Sequence, residues 1–555
     1  MNECWCYQTR ADAESTIPTI PVGTPVMIEQ FDSDSAVSHA LYVFYGSSNP
    51  GHPLSFENGS SWWVIDPDYV TLEAAGAPPP GNGDCAPAMA NVLLYYQQVG
   101  LVELKLLERD YILNDISIVT AQNAPARGSF SITGKGPALS RLIVPYPTNT
   151  RGAFSVQFND SYSHYALRNF SVLASGATGQ TSGCGTAIAM NFVRNLSPDD
   201  GHCGTLEHVR VGPLFDSNGN GWSYFLSGVD LSGTPMPFLF DVKVAGCQGL
   251  IAKGNYADTS PRYFAQTLLT IDNCYDPRIM ASIFWHATTA ISYVCDFAQV
   301  QSFTSADVEI EGVQTGLYTR HVSECPDGQI HNTFCQFRNI GFDLGNIRRW
   351  RLLDNTMRIE GSETTVYDMR FIAATTVVIA LHNFEAGDLG STTDGRINIF
   401  VDAETPSNGV NHGENFLIET NVFGERPVNP FATSAIVATQ SAQNIQIGAT
   451  NAYNGQFGGP VVNDESGTAV ALLGYPGVPS TPPVPAVVAP SGNSTIGPTN
   501  LGSDAAPWPA NYSQTHYVTS TNSAPKTPGS GWVIYADTAG TLWAWNGTDK
   551  KQLAP

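Results

Sequence analysis

Residues 69–113 place a short extended run, a loop rich in Gly and Pro, an apolar helix and two strands in direct succession. Asp84 stands where the N-cap of the helix is expected, because its carboxylate can accept the free amides of a first helical turn. Gly100 is expected to end the helix, since glycine readily takes the left-handed conformation that follows a helix. Between them, apolar residues recur at helical spacing, which predicts one buried stripe: Met89, Val92, Leu93 and Tyr96.

The spacing of apolar residues changes after Gly100 from helical to alternating. Glu103 and Lys105 alternate with apolar residues, as on a strand with one buried face: Val102, Leu104 and Leu106. A second strand is expected to begin at Tyr111. This order fits either an ordinary strand–helix–strand crossover or the first turn of a larger parallel structure.

The loop GNGDCAPA before this helix, residues 81–88, resembles the loop that precedes the capping helix in the pectate-lyase-like superfamily, which includes phage tailspikes and polysaccharide-degrading enzymes. Loops of that family read like G-D-G-x-x-D-D-T-x-A. This one keeps Gly81, Gly83, Asp84 and Ala88, and it departs at Pro78, Pro79, Pro80 and Cys85. The resemblance implies an all-β fold, a right-handed parallel β-helix with an N-terminal capping helix, assembled as a homotrimer.

The length of the chain, 555 residues, exceeds what one globular core usually supports. A β-helix avoids that limit because its core grows along one axis. Short apolar runs recur between Asn, Gly, Asp and Ser turns through residues 69–475, and only 14% of the chain is charged. Jelly rolls and stacked sandwiches also contain many short strands. The helix ahead of the runs favours the β-helix.

Shifts in composition predict four segments. The first is loosely similar to a small module found in front of many phage tail β-helices, with strands expected near Val26, Leu41 and Trp62. The four segments are an N-terminal particle-attachment or capping domain at 1–66, a β-helix with a glycan groove at 67–475, a Pro/Ser/Gly-rich linker or strap at 476–526, and a C-terminal β-hairpin module at 527–555.

The C-terminal segment reads as a hairpin with its turn near residues 537–540. It is too small to bury its own aromatic residues, so it is expected either to pack against copies of itself in a trimer or to contact glycan. The aromatic residues concerned are Trp532, Tyr535, Trp543 and Trp545.

The net charge of −23 argues against nucleic acid as a partner, because phosphate binding needs a basic face. No stretch approaches the ~18 apolar residues of a membrane span, so membrane insertion is not expected. The ten cysteines form no CxxC pairs, which suits a reducing cytosol. The N-terminus has no signal-peptide pattern. These features favour a virion protein that is made in the host cytoplasm and acts at the bacterial surface.

The run ADVEIEG contains the predicted catalytic residues. Asp307, Glu309 and Glu311 alternate with Val308 and Ile310, so the three carboxylates are expected to share one outward face. Glycoside hydrolysis needs two carboxyl groups, and crowding of like charges raises the pKa of the one that acts as acid. The alternative is the solvated outer face of an ordinary strand.

Two other pairs of acidic residues are weaker candidates, Asp402 with Glu404 and Asp272 with Asp276. Residues 216–221, DSNGNG, are faintly similar to a calcium loop, but without a closing Glu they indicate a plain turn. The histidines show no metal-binding spacing. We therefore predict neither a metal site nor a cofactor.

Four residues are predicted to bind substrate: Arg349, Arg351, Trp285 and His286. The two arginines are expected to face outward, with Trp350 and Leu352 inward, and to recognise an anionic sugar. In pectate lyases an Arg can also act as base, so a polysaccharide lyase remains an alternative function. The alternative for these two arginines and for Arg338, Arg348 and Arg358 nearby is neutralisation of neighbouring acids or pairing between subunits.

Three classes of function remain open. The first is a phage tailspike that attaches to tail or adaptor proteins through its N-terminus and that recognises and cleaves host surface polysaccharide (capsule, O-antigen or exopolysaccharide) by hydrolysis. The second is a non-catalytic receptor-binding or structural tail protein with the same fold. The third is a polysaccharide lyase of cellular origin, which the missing signal-peptide pattern disfavours.

Overall fold

The protein is described here by a computed structural model in two compact units, Met1–Gln329 and Ile330–Pro555. The described residues are 4–81, 83–114, 120–121, 127–160, 162–176, 183–193, 204–215, 223–246, 265–295, 302–360, 366–385, 395–402, 413–424, 432–454 and 457–473, with the backbone alone at 520–521, 533–537, 542–545 and 550–554.

The first unit opens with a five-stranded sheet in the order β1-β2-β3-β5-β4, in which β1 and β2 are parallel and the other pairs antiparallel. Phe56 stacks on the buried Trp63 at 5.6 Å between ring centroids. The strands expected near Val26, Leu41 and Trp62 are present. The elements are β1 (Trp5–Thr9), α1 (Arg10–Glu14), β2 (Val26–Gln30), β3 (Val37–Gly46), β4 (Ser55–Asn58) and β5 (Ser61–Ile65).

The rest of the first unit contains one long helix and many short strands. After a 3-10 turn at Pro67–Tyr69 come β6 (Val70–Thr71), α2 (Ala86–Val99), β7 (Leu101–Lys105), β8 (Asp110–Ile112), β9 (Thr120–Ala121), β10 (Ser129–Thr133), β11 (Arg141–Pro145), β12 (Phe154–Phe158), β13 (His164–Ser175), β14 (Cys184–Phe192), β15 (Gly204–Pro213), β16 (Phe225–Ser232), β17 (Phe238–Phe240), β18 (Lys243–Ala245), β19 (Thr267–Asp272), β20 (Arg278–Met280), β21 (Ile283–Trp285), β22 (Thr289–Cys295), β23 (Phe303–Ala306) and β24 (Glu309–Pro326).

These strands form three parallel sheets, and the chain contributes one strand to each sheet in turn. Sheet A contains β7, β10, the first part of β13 and β15, β17, β20 and β23. Sheet B contains β8, β11, the second part of β13 and β15, β18, β21 and the start of β24. Sheet C contains β9, β12, β14, β16, β19, β22 and the continuation of β24. The fold is the predicted right-handed parallel β-helix.

The corner between sheets A and B is a single residue in the left-handed conformation. Its φ lies between 48° and 58° in successive turns of the coil. Such angles are uncommon outside glycine, so each corner interrupts the strand that a simple alternation would predict. The corner residues are Asn169, His208, Asp241, Ala281 and Asp307.

Helix α2 packs its predicted stripe against the first turns of the coil. The ring of Tyr96 lies 5.2 Å from that of Phe130 and 6.1 Å from that of Phe158, all three buried. Gly100 follows the helix at φ 76° and donates its amide to Tyr96 O, as predicted. The stripe and the alternation of β7 are confirmed.

The predicted N-cap is wrong by one residue. Cys85 occupies that position and makes no side-chain cap bond. Asp84 instead accepts the amides of Ala86 (2.9 Å) and Asn114 (2.8 Å) through Oδ1. Because Pro87 has no amide to donate, the carboxylate ties the helix start to the end of β8 instead of capping a full turn.

The strands of the second unit also form three parallel sheets. Following β25 (Gly328–His331) they are β26 (Phe334–Arg348), β27 (Arg351–Leu353), β28 (Thr356–Ile359), β29 (Val366–Ile372), β30 (Thr375–Ala380), β31 (Asn383–Glu385), β32 (Arg396–Asp402), β33 (Glu414–Glu419), β34 (Val422–Phe423), β35 (Ser434–Ala438), β36 (Gln443–Gly448), β37 (Ala452–Tyr453), β38 (Val462–Asp464) and β39 (Val470–Leu473). Sheet D contains β27, β30, β33, β36 and β39. Sheet E contains β28, β31, β34 and β37 together with the first part of β26. Sheet F contains β29, β32, β35 and β38 together with the second part of β26.

A buried polar ladder runs along the corner between sheets D and E. The backbone amide of Asn355 donates to Nδ1 of His382 (3.0 Å). The backbone amide of His382 donates to Oδ1 of Asn421 (2.9 Å), and the backbone amide of Asn421 donates to Oδ1 of Asn451 (2.9 Å). Nε2 of His382 lies 3.0 Å from Leu352 O. These contacts assign the neutral tautomer protonated on Nε2, since Nδ1 must accept.

The C-terminal strands form a separate four-stranded sheet: β40 (Ser520–Thr521), β41 (Val533–Asp537), β42 (Leu542–Trp545) and β43 (Lys550–Ala554). Strands β41 and β42 pair antiparallel, on either side of the predicted turn. Trp532 lies outside the described residues, and for Tyr535, Trp543 and Trp545 the backbone alone is described. The predicted segment boundaries and roles stay predictions.

Within the described part of the chain, the helices are too short or too polar to cross a membrane. Among the eight described cysteines no disulfide forms, and six are buried, as expected of small apolar side chains: Cys85, Cys184, Cys274, Cys295, Cys325 and Cys335.

Candidate functional site

Four of the predicted site residues meet on the outer face of sheet B. Strand β21 pairs with β24 so that Trp285 lies opposite Glu311, while the buried Phe284 and Ile310 point into the core. Nε1 of Trp285 donates to Oε1 of Glu309 at 3.3 Å. This pairing places an aromatic ring beside two carboxylates, an arrangement that can bind a sugar.

His286 joins this group through the backbone and through packing. Its amide donates to Glu311 O at 3.0 Å, and its φ is 60°. Beside it, Gly312 has φ 62°, and a Cβ there would lie 2.6 Å from Nδ1 of His286. The imidazole can occupy this place because residue 312 is a glycine.

Asp307 does not share the face of Glu309 and Glu311, so the predicted row of three carboxylates is wrong at its first member. Asp307 is the exposed corner residue with φ 56°, and β24 begins at Glu309. The alternation of outward and buried residues holds from Asp307 to Glu311, but the left-handed corner places Asp307 between sheets A and B, outside the strand that carries Glu309 and Glu311.

Arg349 and Arg351 belong to the second unit. Arg349 is an exposed turn residue with φ 59° whose backbone amide donates to Thr375 O (3.0 Å), so it faces outward as expected, although it lies before the start of β27. Arg351 is exposed at the start of β27, and Trp350 and Leu352 are buried as expected.

Neighbouring acids of the second unit are neutralised in part by other arginines. Asp343 forms a bidentate ion pair with Arg370, whose Nη2 donates to Oδ2 at 2.6 Å and whose Nε donates to Oδ1 at 3.0 Å. Burial raises the pKa of Glu360, and the nearby charges of Arg338 and Arg358 oppose that shift. Arg338 and Arg358 therefore lie close to an acidic side chain, while the roles predicted for Arg349 and Arg351 stay predictions.

Sheet C of the first unit carries an outer face that is polar along most of its length. Its strands alternate buried apolar residues with half-buried outward ones, and successive strands are in register. Two neighbouring rows of residues on the outer face of the last five strands are Ala189, Asp230, Thr270, Ser292 and Tyr318, and Asn191, Ser232, Asp272, Val294 and Arg320.

Two carboxylates lie side by side on this face. Asp230 pairs with Thr270, and Ser232 with Asp272, so the two acids are diagonal neighbours on adjacent strands. One strand spacing and two residues along the strand place their Cα atoms about 8 Å apart. Burial raises the pKa of Asp230 above its ordinary value, and the negative charge of Asp272 raises it further.

An aromatic ring and a cation lie on the same face, two strands beyond β19. The guanidinium of Arg320 lies 5.2 Å from the ring centroid of Tyr318, and the two residues continue the rows of Asp272 and Thr270. The outer face of sheet C thus combines a carboxyl pair with an aromatic ring and a guanidinium, groups that are able to contact sugar rings and hydroxyls.

The remaining acidic candidates are engaged elsewhere. Asp276 pairs with Arg278 at 2.7 Å and accepts the hydroxyl of Ser302. Asp402 accepts the hydroxyl of Thr439 at 2.8 Å. Glu404 and residues 216–221 lie outside the described residues. Within the described ranges, no group of three or more His, Cys, Asp or Glu is placed to hold a metal ion.

Sequence reasoning missed Asp230 and its pairing with Asp272. The signal was available in two short runs with the same alternation, VDLS at 229–232 and LTID at 269–272. Alignment of these runs as consecutive turns of one coil would have placed the two acids on one face.

No known protein family matches the sequence, and no curated protein matches it. Solved structures similar to this chain include tailspike protein 2 of an Escherichia coli O157:H7 bacteriophage (13% identity, TM-score 0.45, covering 83% of this chain and 55% of that one). They also include an Acinetobacter phage tailspike (11%, 0.43, 99% and 88%) and the A-module of a mannuronan C-5 epimerase from Azotobacter vinelandii (12%, 0.44, 73% and 100%).

Proposed function

We propose that the protein is a tailspike-type glycosidase that binds bacterial surface polysaccharide along sheet C and hydrolyses it with Asp230 and Asp272. The observation that supports this best is the pair of outward carboxyl groups, one of which has a raised pKa. Because a fold does not imply a function, the substrate class rests on the resemblance of residues 81–88 to β-helix proteins that act on polysaccharides.

In this mechanism the two carboxyl groups have opposite protonation states. Burial and the neighbouring charge of Asp272 raise the pKa of Asp230 and favour its protonated form, so Asp230 is the proposed donor of a proton to the leaving glycosidic oxygen. Asp272 is the proposed base that takes a proton from the attacking water. Side chains that start from Cα atoms about 8 Å apart on one face can hold their carboxyl groups at the roughly 6.5–9.5 Å that leaves room for that water in enzymes that invert the anomeric centre.

Tyr318 and Arg320 would hold the sugar next to the reacting unit. The tyrosine ring offers an apolar surface for a pyranose, and the guanidinium offers hydrogen bonds to hydroxyls or to an acidic substituent. We further propose that the protein is a homotrimeric virion component that attaches to the phage tail through its N-terminal sheet.

The test is to incubate the purified protein with capsule, O-antigen or exopolysaccharide from candidate hosts. New reducing ends without the near-ultraviolet absorbance of an unsaturated product indicate a hydrolase. Both signals indicate a lyase, and neither, on a polysaccharide that the protein binds, indicates a non-catalytic receptor-binding protein. NMR of the fresh product is expected to show an inverted anomeric configuration.

The carboxyl pair is tested by D230N and D272N, each expected to lower the cleavage rate on the order of 10²–10⁴-fold while binding persists. Asp241→Asn is the matched control, since it makes the same change at a corner of the same coil, away from sheet C. Cleavage at the wild-type rate by both D230N and D272N would refute this assignment.

The face of sheet B is a second proposed site, supported by the contact of Trp285 with Glu309. Asp307→Asn, Glu309→Gln and Glu311→Gln test it as a catalytic site. Loss of cleavage in the glutamate variants with retained cleavage in D230N would move catalysis to sheet B. Weaker polysaccharide binding with unchanged cleavage chemistry would make sheet B a binding platform.

A further inference from the structure

The N-terminal sheet carries two thiols on one face of its edge strand β1. Cys4 and Cys6 are exposed, whereas the other six described cysteines are buried. They flank Trp5, which is half-buried on the opposite face together with Tyr7, at 6.4 Å between the two ring centroids. The two thiols are therefore accessible from solvent, on a sheet that is separate from sheets A, B and C.

The spacing of the two cysteines suits a shared ligand better than a disulfide. Because Trp5 between them belongs to β1, their Cα atoms are roughly 6.5–7 Å apart. That separation lies at the upper limit of what a disulfide can span. The side chains nevertheless converge, since the thiol of Cys4 is hydrogen-bonded to that of Cys6. Two thiols in contact on one face form a ready pair of donors for a metal ion.

A third sulfur atom lies beside this pair, on the neighbouring strand. Cys6 is the direct partner of Met27 in the parallel pairing of β1 with β2, at a strand spacing of about 4.8 Å. Met27 is half-buried and faces the same side as Cys6, because Val26 and Ile28 on either side of it are buried in the core of the sheet. The unbranched side chain of methionine is flexible, so its thioether can reach an ion held by the two thiols.

The three donors form a soft ligand set. Thiolates and thioethers favour Cu(I), whereas Zn²⁺ in structural sites takes four ligands, usually thiolates and imidazoles. Among the described residues, no His, Asp or Glu joins the two cysteines in a group of three that could hold a metal ion. On the far side of Met27 its partner on β3 is Leu41, an apolar side chain. The donors therefore match Cu(I) and leave a divalent ion without enough ligands.

We propose that Cys4, Cys6 and Met27 bind one Cu(I) ion. Each thiol releases its proton to solvent as it coordinates, and the metal keeps its oxidation state, so the step needs no oxidant or reductant. Two of the ligands lie at β1 and the third lies on β2, so the bound ion ties the edge strand to the rest of the sheet. The proposal does not depend on polysaccharide binding or cleavage.

The probe is Cu(I) itself, added without oxygen to the reduced full chain, with bicinchoninate as a coloured competitor. The wild type is expected to withdraw one more equivalent of Cu(I) from the competitor than the double variant Cys4→Ser with Cys6→Ser. Because both cysteines are exposed, the double variant is expected to unfold at the temperature of the wild type. X-ray absorption of the additional copper is expected to show sulfur neighbours and no nitrogen or oxygen.

Met27→Leu tests the third ligand and is expected to weaken Cu(I) binding about tenfold, as loss of a group that supports a metal site commonly does. Met280→Leu, at a half-buried methionine of sheet A, is the matched control and is expected to bind as the wild type.

Hydrogen exchange tests the link between the strands. Cu(I) is expected to slow exchange of the β1 amides in the wild type and to leave it unchanged in the double cysteine variant, because only the wild type can hold β1 to β2 through the metal. Equal uptake of Cu(I) by the wild type and the double variant, undiminished affinity in Met27→Leu, or nitrogen and oxygen neighbours around the copper would overturn the proposal.

Discussion

Asp230 and Asp272 lie diagonally on adjacent strands of sheet C, and the charge of Asp272 contributes to the raised pKa of Asp230. The relationship is electrostatic as well as geometric, because two neighbouring carboxylates resist being ionised together. It connects two turns of the coil and provides the acid and the base of the proposed reaction.

Removal of the charge of Asp272 is expected to lower the pKa of Asp230. In Asp272→Asn the neighbouring negative charge is gone, so ionisation of Asp230 costs less and the carboxyl titrates at lower pH. Carbon-13 NMR titration of labelled aspartate measures this shift, with Asp241→Asn as the control. An unchanged or higher pKa in Asp272→Asn would show that the two groups do not interact.

The activity is expected to fall as pH rises through the pKa of Asp230, because the proposed acid must carry its proton. The cleavage rate under single-turnover conditions, measured against pH, checks this. A rate that keeps rising through neutral pH would contradict the role of Asp230.

Loss of the buried ion pair between Asp368 and Arg396 is expected to destabilise the second unit strongly. Both side chains are 0% exposed, they bond at 2.6 and 2.9 Å, and Asn398 donates to the same carboxylate at 2.7 Å. Asp368→Asn leaves a buried guanidinium without its countercharge, which costs about 3–5 kcal/mol. Guanidinium chloride unfolding measures the loss.

The matched control for that prediction is Asp110→Asn, which breaks the half-exposed pair with Arg141 in the first unit. Such pairs contribute about 0–1 kcal/mol. If the two variants lost the same free energy of unfolding, burial would not explain the contribution of the Asp368–Arg396 pair to stability.

The polar ladder is expected to make the second unit sensitive to acid through His382. Burial lowers the pKa of His382 to about 4, against about 6.5 in an unfolded chain. The unfolded chain therefore takes up a proton first as pH falls, and stability is lost between about pH 6.5 and pH 4, by about 3 kcal/mol in all. Urea unfolding across this range measures the change.

Two variants separate the titration of His382 from its packing. His382→Asn is expected to keep the ladder, as the asparagines at 355, 421 and 451 do, and to reduce the loss of stability in acid. His382→Leu also removes the titration, but it leaves the amide of Asn355 without an acceptor and costs about 1–3 kcal/mol at neutral pH. Undiminished acid sensitivity in both variants would show that protonation of His382 does not cause the loss of stability in the second unit.

Gly312→Ala is expected to disturb the site on sheet B. At φ 62° an alanine costs about 1–2 kcal/mol, and its Cβ would also displace His286. Gly23→Ala is the matched control, because Gly23 has φ 81° and nothing within 4 Å of an added Cβ. Thermal unfolding should therefore show a larger loss of stability for Gly312→Ala than for Gly23→Ala. Equal losses of stability would mean that the His286 side chain moves aside without an energetic cost.

Much of the fold could be predicted from local patterns. The stripe on α2, its end at Gly100 and the alternation of β7 are properties of neighbouring residues, and side-chain spacing sets which face is buried. The same spacing predicted that Trp350 and Leu352 would be buried. For these elements the amino-acid sequence alone determined the outcome, because the residues that decide it are a few positions apart.

The corners and the site required the tertiary structure. Asp307 and Arg349 take left-handed conformations because the coil turns at those residues, although neither residue type demands it. The pairing of Asp230 with Asp272 depends on how one turn of the coil stacks on the next, and the connecting loops vary in length. Local spacing thus determined which side chains face outward, whereas the register between turns decided which of them meet, since that register is set by packing of the whole core.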